Sequence, residues 1–207
     1  MLRLIECLSA FNRKERYYVV RKLLGNASHP PAPSFRHELG SELDLTIPAD
    51  PWWAMDYHLD WMYAALVLAR DNAPERVYEH TGIIRAQQED MDLLLAYDDG
   101  DTTHLIFVEA KGVTGYSNQQ MTSKMDRLAQ IFGQDGKAWP GVTPHLVLLS
   151  PKPPSNKLKM QAWPQWAAPR GEFAWIPLCI PENLKRVTRC DAQRHRDQTG
   201  NFWTIVS

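Results

Sequence analysis

Cysteine is scarce in this chain of 207 residues: Cys7, Cys179 and Cys190 lie far apart, and no Cys-x-x-Cys pair occurs. That excludes a disulfide scaffold and a thiolate zinc site, and leaves three ordinary thiols. Long apolar runs are also missing. The longest, Trp61 to Ala69, is far short of the ~20 residues a membrane span needs. Glu6 interrupts the opening residues before any signal-peptide core can form, so the expected location is the cytoplasm, with no membrane partner. Nor is there an excess of one charge. Lys plus Arg number 23 against 24 Asp plus Glu, a formal net charge of -1, so whole-molecule charge drives binding neither to nucleic acid nor to membrane. A local basic cleft remains open. No internal repeat and no low-complexity tract appears.

What is present suffices for one substantial core, since 44% of residues are hydrophobic. The expectation is a single domain over 1–207, with an N-terminal helical extension over 1–50. Leu4, Leu8 and Phe11, followed by Arg13, Lys14, Arg16, Arg21 and Lys22, predict an amphipathic helix that stops at Gly25. His29 to Pro33 reads as a loop, and Pro48 and Pro51 bracket a turn. A long helix is then predicted from Trp53 to Arg70. Met55, Leu59, Met62 and Leu66 form its apolar stripe, and Asp56, Asp60 and Tyr63 a separate one. From Thr81 the pattern becomes extended, with strands predicted at Gly82 to Gln87, Met91 to Tyr97 and His104 to Lys111. Asp98-Asp99-Gly100-Asp101 is turn chemistry and joins the last two as a hairpin. Ser117 to Phe132 carries Met121, Met125, Leu128 and Phe132 on one helical face, with Gly133 as its stop. Strands follow at His145 to Ser150, Phe173 to Ile180 and Phe202 to Val206. Residues 151–207 hold a Pro- and Trp-rich segment, with Lys152, Lys157, Lys159, Trp163 and Trp166, before those last strands.

The informative stretch is Gln88-Glu-Asp-Met-Asp-Leu-Leu-Leu-Ala-Tyr97, a turn, and Leu105-Ile-Phe-Val-Glu-Ala-Lys-Gly112. Alternation along the second strand puts Leu105, Phe107, Glu109 and Lys111 on one face and Ile106, Val108 and Ala110 on the other. Charges beside a core are costly unless paired or bound to metal, so Glu109 and Lys111 need a reason. A tight turn between Gly100 and Asp101 pairs position 97 with 104 and hence Asp92 with Glu109, and the same parity brings Asp90 and Asp92 to the face of Glu109 and Lys111. Carboxylate oxygens of this kind suit Mg2+ or Mn2+ rather than zinc. The task that fits is phosphodiester hydrolysis: an ion held by Asp92 and Glu109 polarises a phosphoryl oxygen and acidifies a bound water, while Lys111 stabilises transition-state charge or positions that water.

Asp92, a hairpin, Glu109-Ala110-Lys111 and a following helix resemble the PD-(D/E)xK superfamily of restriction-endonuclease-like nucleases over roughly residues 54–150, although Met91 stands where the family has proline. The resemblance implies an α/β fold with a central mixed sheet flanked by helices, and an order of helix, three strands, helix and strand. It implies a Mg2+- or Mn2+-dependent nuclease acting on nucleic acid, DNA foremost. Asp92, Glu109, Lys111 and Gln120 are the catalytic set, and Asp92, Glu109, Ala110 and Asp60 the metal set. Asp56 is the weaker alternative to Asp60, and Gln119 the second choice to Gln120. A noncatalytic nucleic-acid-binding or regulatory protein on the same fold is the competing reading. Cutting both strands of a duplex would favour a homodimer.

Each residue also has a plainer role. A bare Glu-x-Lys carries little information by itself, and Asp90 reads as a solvated strand start. Ser117 and Gln120 form a capping-box pattern in which Gln120 would bond back to the Ser117 backbone. Lys124 and Arg127 follow Gln120 at helical spacing and could reach phosphates, with solvated helix charges as the alternative. His58-x-Asp60 is no metal pair, because residues two apart on a helix diverge. The basic run Lys185, Arg186, Arg189, Arg194, His195 and Arg196 is a candidate contact for a nucleic-acid backbone. Trp163 and Trp166 could stack on bases, although most of the eight tryptophans must serve packing.

Overall fold

The N-terminal amphipathic run folds as two helices, α1 (Leu4–Phe11) and α2 (Glu15–Leu24), with a break at Asn12. The computed structural model describes residues 3–25, 29–73, 76–86, 89–155, 158–161, 163–169, 171–181 and 183–206. Gly25 ends α2 in the left-handed region at φ 66°, as its position predicts. A third helix, α3 (Pro33–Leu43), begins with proline in its first turn, where the missing N–H costs nothing.

The expected helix from Trp53 to Arg70 forms only in its second half. Trp52–His58 is strand β1, and helix α4 runs from Leu59 to Asp71. Trp52, Trp53 and Tyr57 suit a pleated surface, and the Met55, Leu59, Met62 spacing crosses the junction between the two elements. Strand β2 (Asp90–Asp99) pairs antiparallel with both β1 and β3 (Thr102–Ala110). Gly100, at φ 60°, turns the β2–β3 hairpin, and Tyr97 faces His104 in the expected register.

Helix α5 (Asn118–Phe132) has Ser117 as N-cap and Gly133 as C-cap, and returns the chain to β4 (Val142–Ser150), parallel to β3. Strand β5 (Ala174–Pro177) adds parallel to β4, so the sheet order is β1-β2-β3-β4-β5. A separate hairpin pairs β6 (Arg186–Cys190) with β7 (Phe202–Val206). The protein is therefore α/β, with N-terminal helices, a five-stranded mixed sheet and a two-stranded hairpin. No helix among the described residues is long and apolar enough to cross a membrane.

The strand expected at Gly82 to Gln87 is not formed over residues 82–86, and Gln87, like Lys157, lies outside the described residues. Asp60 explains this, because its carboxylate accepts the backbone N–H groups of Arg85 (3.1 Å) and Ala86 (2.8 Å) that a sheet ladder would need. The third antiparallel strand is β1, which precedes the helix instead of following it. The observed order is strand, helix, two strands, helix, strand.

Helices α1, α4 and α5 pack on the sheet face that carries Ala54, Leu94, Ala96, Leu105, Phe107 and Leu148. Tyr17 of α2 and Leu39 of α3 pack on the opposite face, against Trp53, Leu95, Ile106 and Val147. Trp166 meets Phe132 edge-on at 5.8 Å and Trp163 is buried, so both serve packing.

On the α2–α3 face, near the hairpin turn, His104 Nδ1 and His145 Nε2 lie 3.0 Å apart, which requires one ring to donate and the other to accept. Burial, then the neighbouring His104, lowers the His145 pKa from 6.5 to about 4, and burial lowers that of His104. Between these two values the unfolded chain binds a proton at His145 that the folded chain does not. Stability from this pair is therefore complete above pH 6.5 and declines as pH falls toward about 4. Urea denaturation across that window should show wild type losing up to about 1.4 kcal/mol per pH unit relative to His145→Leu. Parallel pH curves for the two proteins would refute this.

Candidate active site

Strand β3 is apolar from Leu105 to Val108, after which Glu109 enters the α5 side of the sheet with no solvent exposure. The β2–β3 ladder runs to Leu93 opposite Val108, which sets Asp92 opposite Glu109. Asp92 reaches across with its side chain: Oδ2 accepts the Ala110 N–H at 2.6 Å and satisfies a donor on the neighbouring strand. Lys111 continues β3 toward β4, its N–H donating to the Leu149 carbonyl at 2.8 Å, while its ammonium donates to Glu109 Oε1 at 2.7 Å. Tyr116 Oη bridges the carbonyls of Glu109 and Leu149, each at 2.9 Å, and clamps the ends of β3 and β4 together.

The first turns of α5 complete the group. Ser117 Oγ accepts the Gln120 N–H at 3.2 Å, which fixes the helix start. The Gln120 side chain donates to Glu109 Oε1 at 3.3 Å, so of its two sequence readings the bond toward the site is the one formed. One turn on, the buried ammonium of Lys124 pairs with Glu109 Oε2. Two carboxylates and two ammoniums thus converge where β2, β3 and α5 meet. Burial and the charge of Glu109 push the Asp92 carboxyl above the usual carboxylate range, opposed by the Ala110 N–H, Lys124 and Lys111.

A divalent ion fits the donor chemistry in part. Asp92 and Glu109 supply hard oxygens from adjacent strands, and Ala110 between them can ligate only through its carbonyl. No group of three or more His, Cys, Asp or Glu side chains able to hold a metal occurs among the described residues, so water would complete the shell. Burial first, and then the adjacent Glu109, disfavour the charged form of Asp92, a cost that a cation between the two carboxylates would offset. Both oxygens of Glu109 already meet lysines, so an ion there would share them with Lys111 and Lys124.

The other expected residues are engaged by other partners. Asp60, in the first turn of α4, pairs with the Arg127 guanidinium besides holding the Arg85 and Ala86 N–H groups. Asp56 lies on β1, at φ 48°, and pairs with Arg16 at 2.8 Å. The two side chains are almost equally accessible, 17% for Asp56 and 15% for Asp60. Asp90 pairs with Lys14 at 3.3 Å and does not join the Glu109 group. His58, the residue before α4, packs against Trp61 with ring centroids 4.2 Å apart.

Lys124 and Arg127 are neither solvated nor free to meet phosphates. Lys124 is buried on Glu109, and Arg127 is wholly buried between Asp60, Glu89 (3.5 Å) and the Ile83 carbonyl (2.9 Å). Sequence reasoning missed Lys124 as a partner of Glu109. Its signal was available, because Lys124 follows Met121 by three and Arg127 precedes Leu128, both flanking the apolar stripe of α5. No family model matches the chain, and no curated protein or solved structure matches it.

Proposed function

We propose that the protein is a Mg2+- or Mn2+-dependent nuclease that hydrolyses nucleic-acid phosphodiester bonds, DNA foremost, on a restriction-endonuclease-like sheet. The observation that carries this reading is Asp92 beside Glu109 on paired strands, with Lys111 two residues on and bonded to Glu109. Asp92, Glu109 and the Ala110 carbonyl would hold the ion, which when bound supplies Lewis acidity toward a phosphoryl oxygen and toward water. Lys111 places a positive charge where the phosphoryl oxygens gain negative charge. Gln120 orients Glu109 from α5, and Lys124 pairs with its second oxygen in a buried setting. Asp60 serves to anchor the segment before β2. A homodimer is the arrangement that would cut both strands of a duplex.

The competing reading, a noncatalytic regulatory or nucleic-acid-binding protein on the same fold, is favoured by one observation: both Glu109 oxygens are already engaged by lysines. A panel of single- and double-stranded DNA and RNA incubated with Mg2+, Mn2+ or EDTA separates the two. Cleavage that appears with the ions and vanishes with EDTA is expected. Intact substrates under every condition would leave the noncatalytic reading.

A further inference from the structure

The β6–β7 hairpin presents one sheet face that nothing in the described chain covers. Val187 lies opposite Ile205 and Arg189 opposite Trp203, so these four side chains share a face. Val187, Ile205 and Trp203 are 69%, 58% and 66% exposed. On the other face Cys190 is buried, while Phe202 opposite it is 55% exposed and Arg186 is exposed.

Charge sets this hairpin apart from the rest of the molecule. Residues 183–206 carry Lys185, Arg186, Arg189, Arg194 and Arg196 against Asp191 and Asp197, an excess of cations in a chain with net charge -1. The two carboxylates are engaged by hydrogen bonds within the same loop. Asp191 accepts the N–H groups of Gln193 (2.8 Å) and His195 (2.9 Å) and pairs with the His195 ring, and Asp197 accepts the Thr199 N–H and hydroxyl, each at 2.8 Å. Arg189 is spent on the Gly200 carbonyl at 2.7 Å. Arg186, Arg194 and Arg196 are exposed, and none has an ion-pair partner among the described residues. Arg186, Arg189 and Arg196 line a groove of about 290 Å³ with Thr188 and Gln198.

We infer that this hairpin binds a single-stranded stretch of nucleic acid, its phosphates along the groove that Arg186 and Arg196 line at the free edge of β6 and an unpaired base on Trp203, on the sheet face next to that edge; the inference rests on the nuclease reading for its choice of partner. The argument from charge is complementarity: unpaired guanidiniums beside internally satisfied carboxylates favour a polyanion. The exposed indole of Trp203, next to Ile205 on its own strand and diagonal to Val187, offers a flat apolar platform that stacked duplex bases cannot reach.

The test is fluorescence anisotropy of a labelled single-stranded oligonucleotide, and of its duplex, in EDTA at two salt concentrations. Trp203→Ala should weaken single-strand binding roughly 10-fold. Arg186→Gln with Arg196→Gln should weaken it several-fold at low salt and flatten the salt dependence. Wild-type affinity in both, or tighter binding of the duplex than of the single strand, would overturn the assignment even if the protein cleaves. Loss of a dimer in Trp203→Ala, seen by light scattering, would assign the face to a second copy of the chain and overturn it as well. Single-strand binding that depends on Trp203 in a protein that cleaves nothing would uphold this surface and remove the nuclease reading.

Discussion

Lys111→Ala should lower phosphodiester cleavage by ~10²-fold or more while leaving Mn2+ binding in place. The Lys111 ammonium lies 2.7 Å from Glu109 Oε1 and its side chain retains 15% accessibility, so it can serve both the carboxylate and an incoming phosphate. Lys124 keeps Glu109 paired when Lys111 is lost, which is why folding and metal affinity should survive. Lys124 is buried and cannot move out to replace the missing charge. Single-turnover rates at saturating substrate, with circular dichroism as the folding control, check this. A variant that cleaves at the wild-type rate would remove Lys111 from the chemistry.

The largest effect on stability is expected at Arg127. Its side chain has no solvent exposure and ties α5 to Asp60 of α4, to Glu89 before β2 and to the Ile83 carbonyl. Replacement by methionine keeps much of the volume but strands two partly buried carboxylates, 15% and 19% accessible, and frees the segment they hold. Arg127→Met should cost about 3 kcal/mol or more. Adding Asp60→Asn and Glu89→Gln should recover part of that loss, because neutral side chains tolerate the missing cation better. Urea denaturation of the single and triple variants measures both changes. A single variant as stable as wild type would show that the buried arginine contributes nothing net.

The centre of the site was legible because it depends on local rules. Gly100-Asp101 fixes a two-residue turn, the turn fixes register, and register alone puts Asp92 opposite Glu109. Ser117 and Gly133 likewise delimit α5 by cap chemistry. The surroundings were not legible, for a physical reason in each case. Strand β1 shares a three-and-four apolar spacing with the helix that follows, so periodicity merges the two. Residues 82–86 lose their ladder to a carboxylate 25 residues away in sequence, as Arg85 shows. Lys124 and Arg127 read as phosphate contacts or solvated charges because their acidic partners, Glu109, Asp60 and Glu89, lie on other elements, and only their places beside the apolar stripe of α5 pointed to burial.

Calorimetric titration with Mn2+ of the wild-type protein, Asp92→Asn and Glu109→Gln tests the central claim most directly. Both substitutions keep size and hydrogen-bonding capacity, so the fold should persist while each removes one charged oxygen ligand. One saturable site in the wild type, weakened at least 10-fold or lost in each variant, is the expected result. Equal Mn2+ affinity in all three proteins, or none in the wild type, would contradict a metal centre between Asp92 and Glu109 and leave the pair as part of a structural ion network.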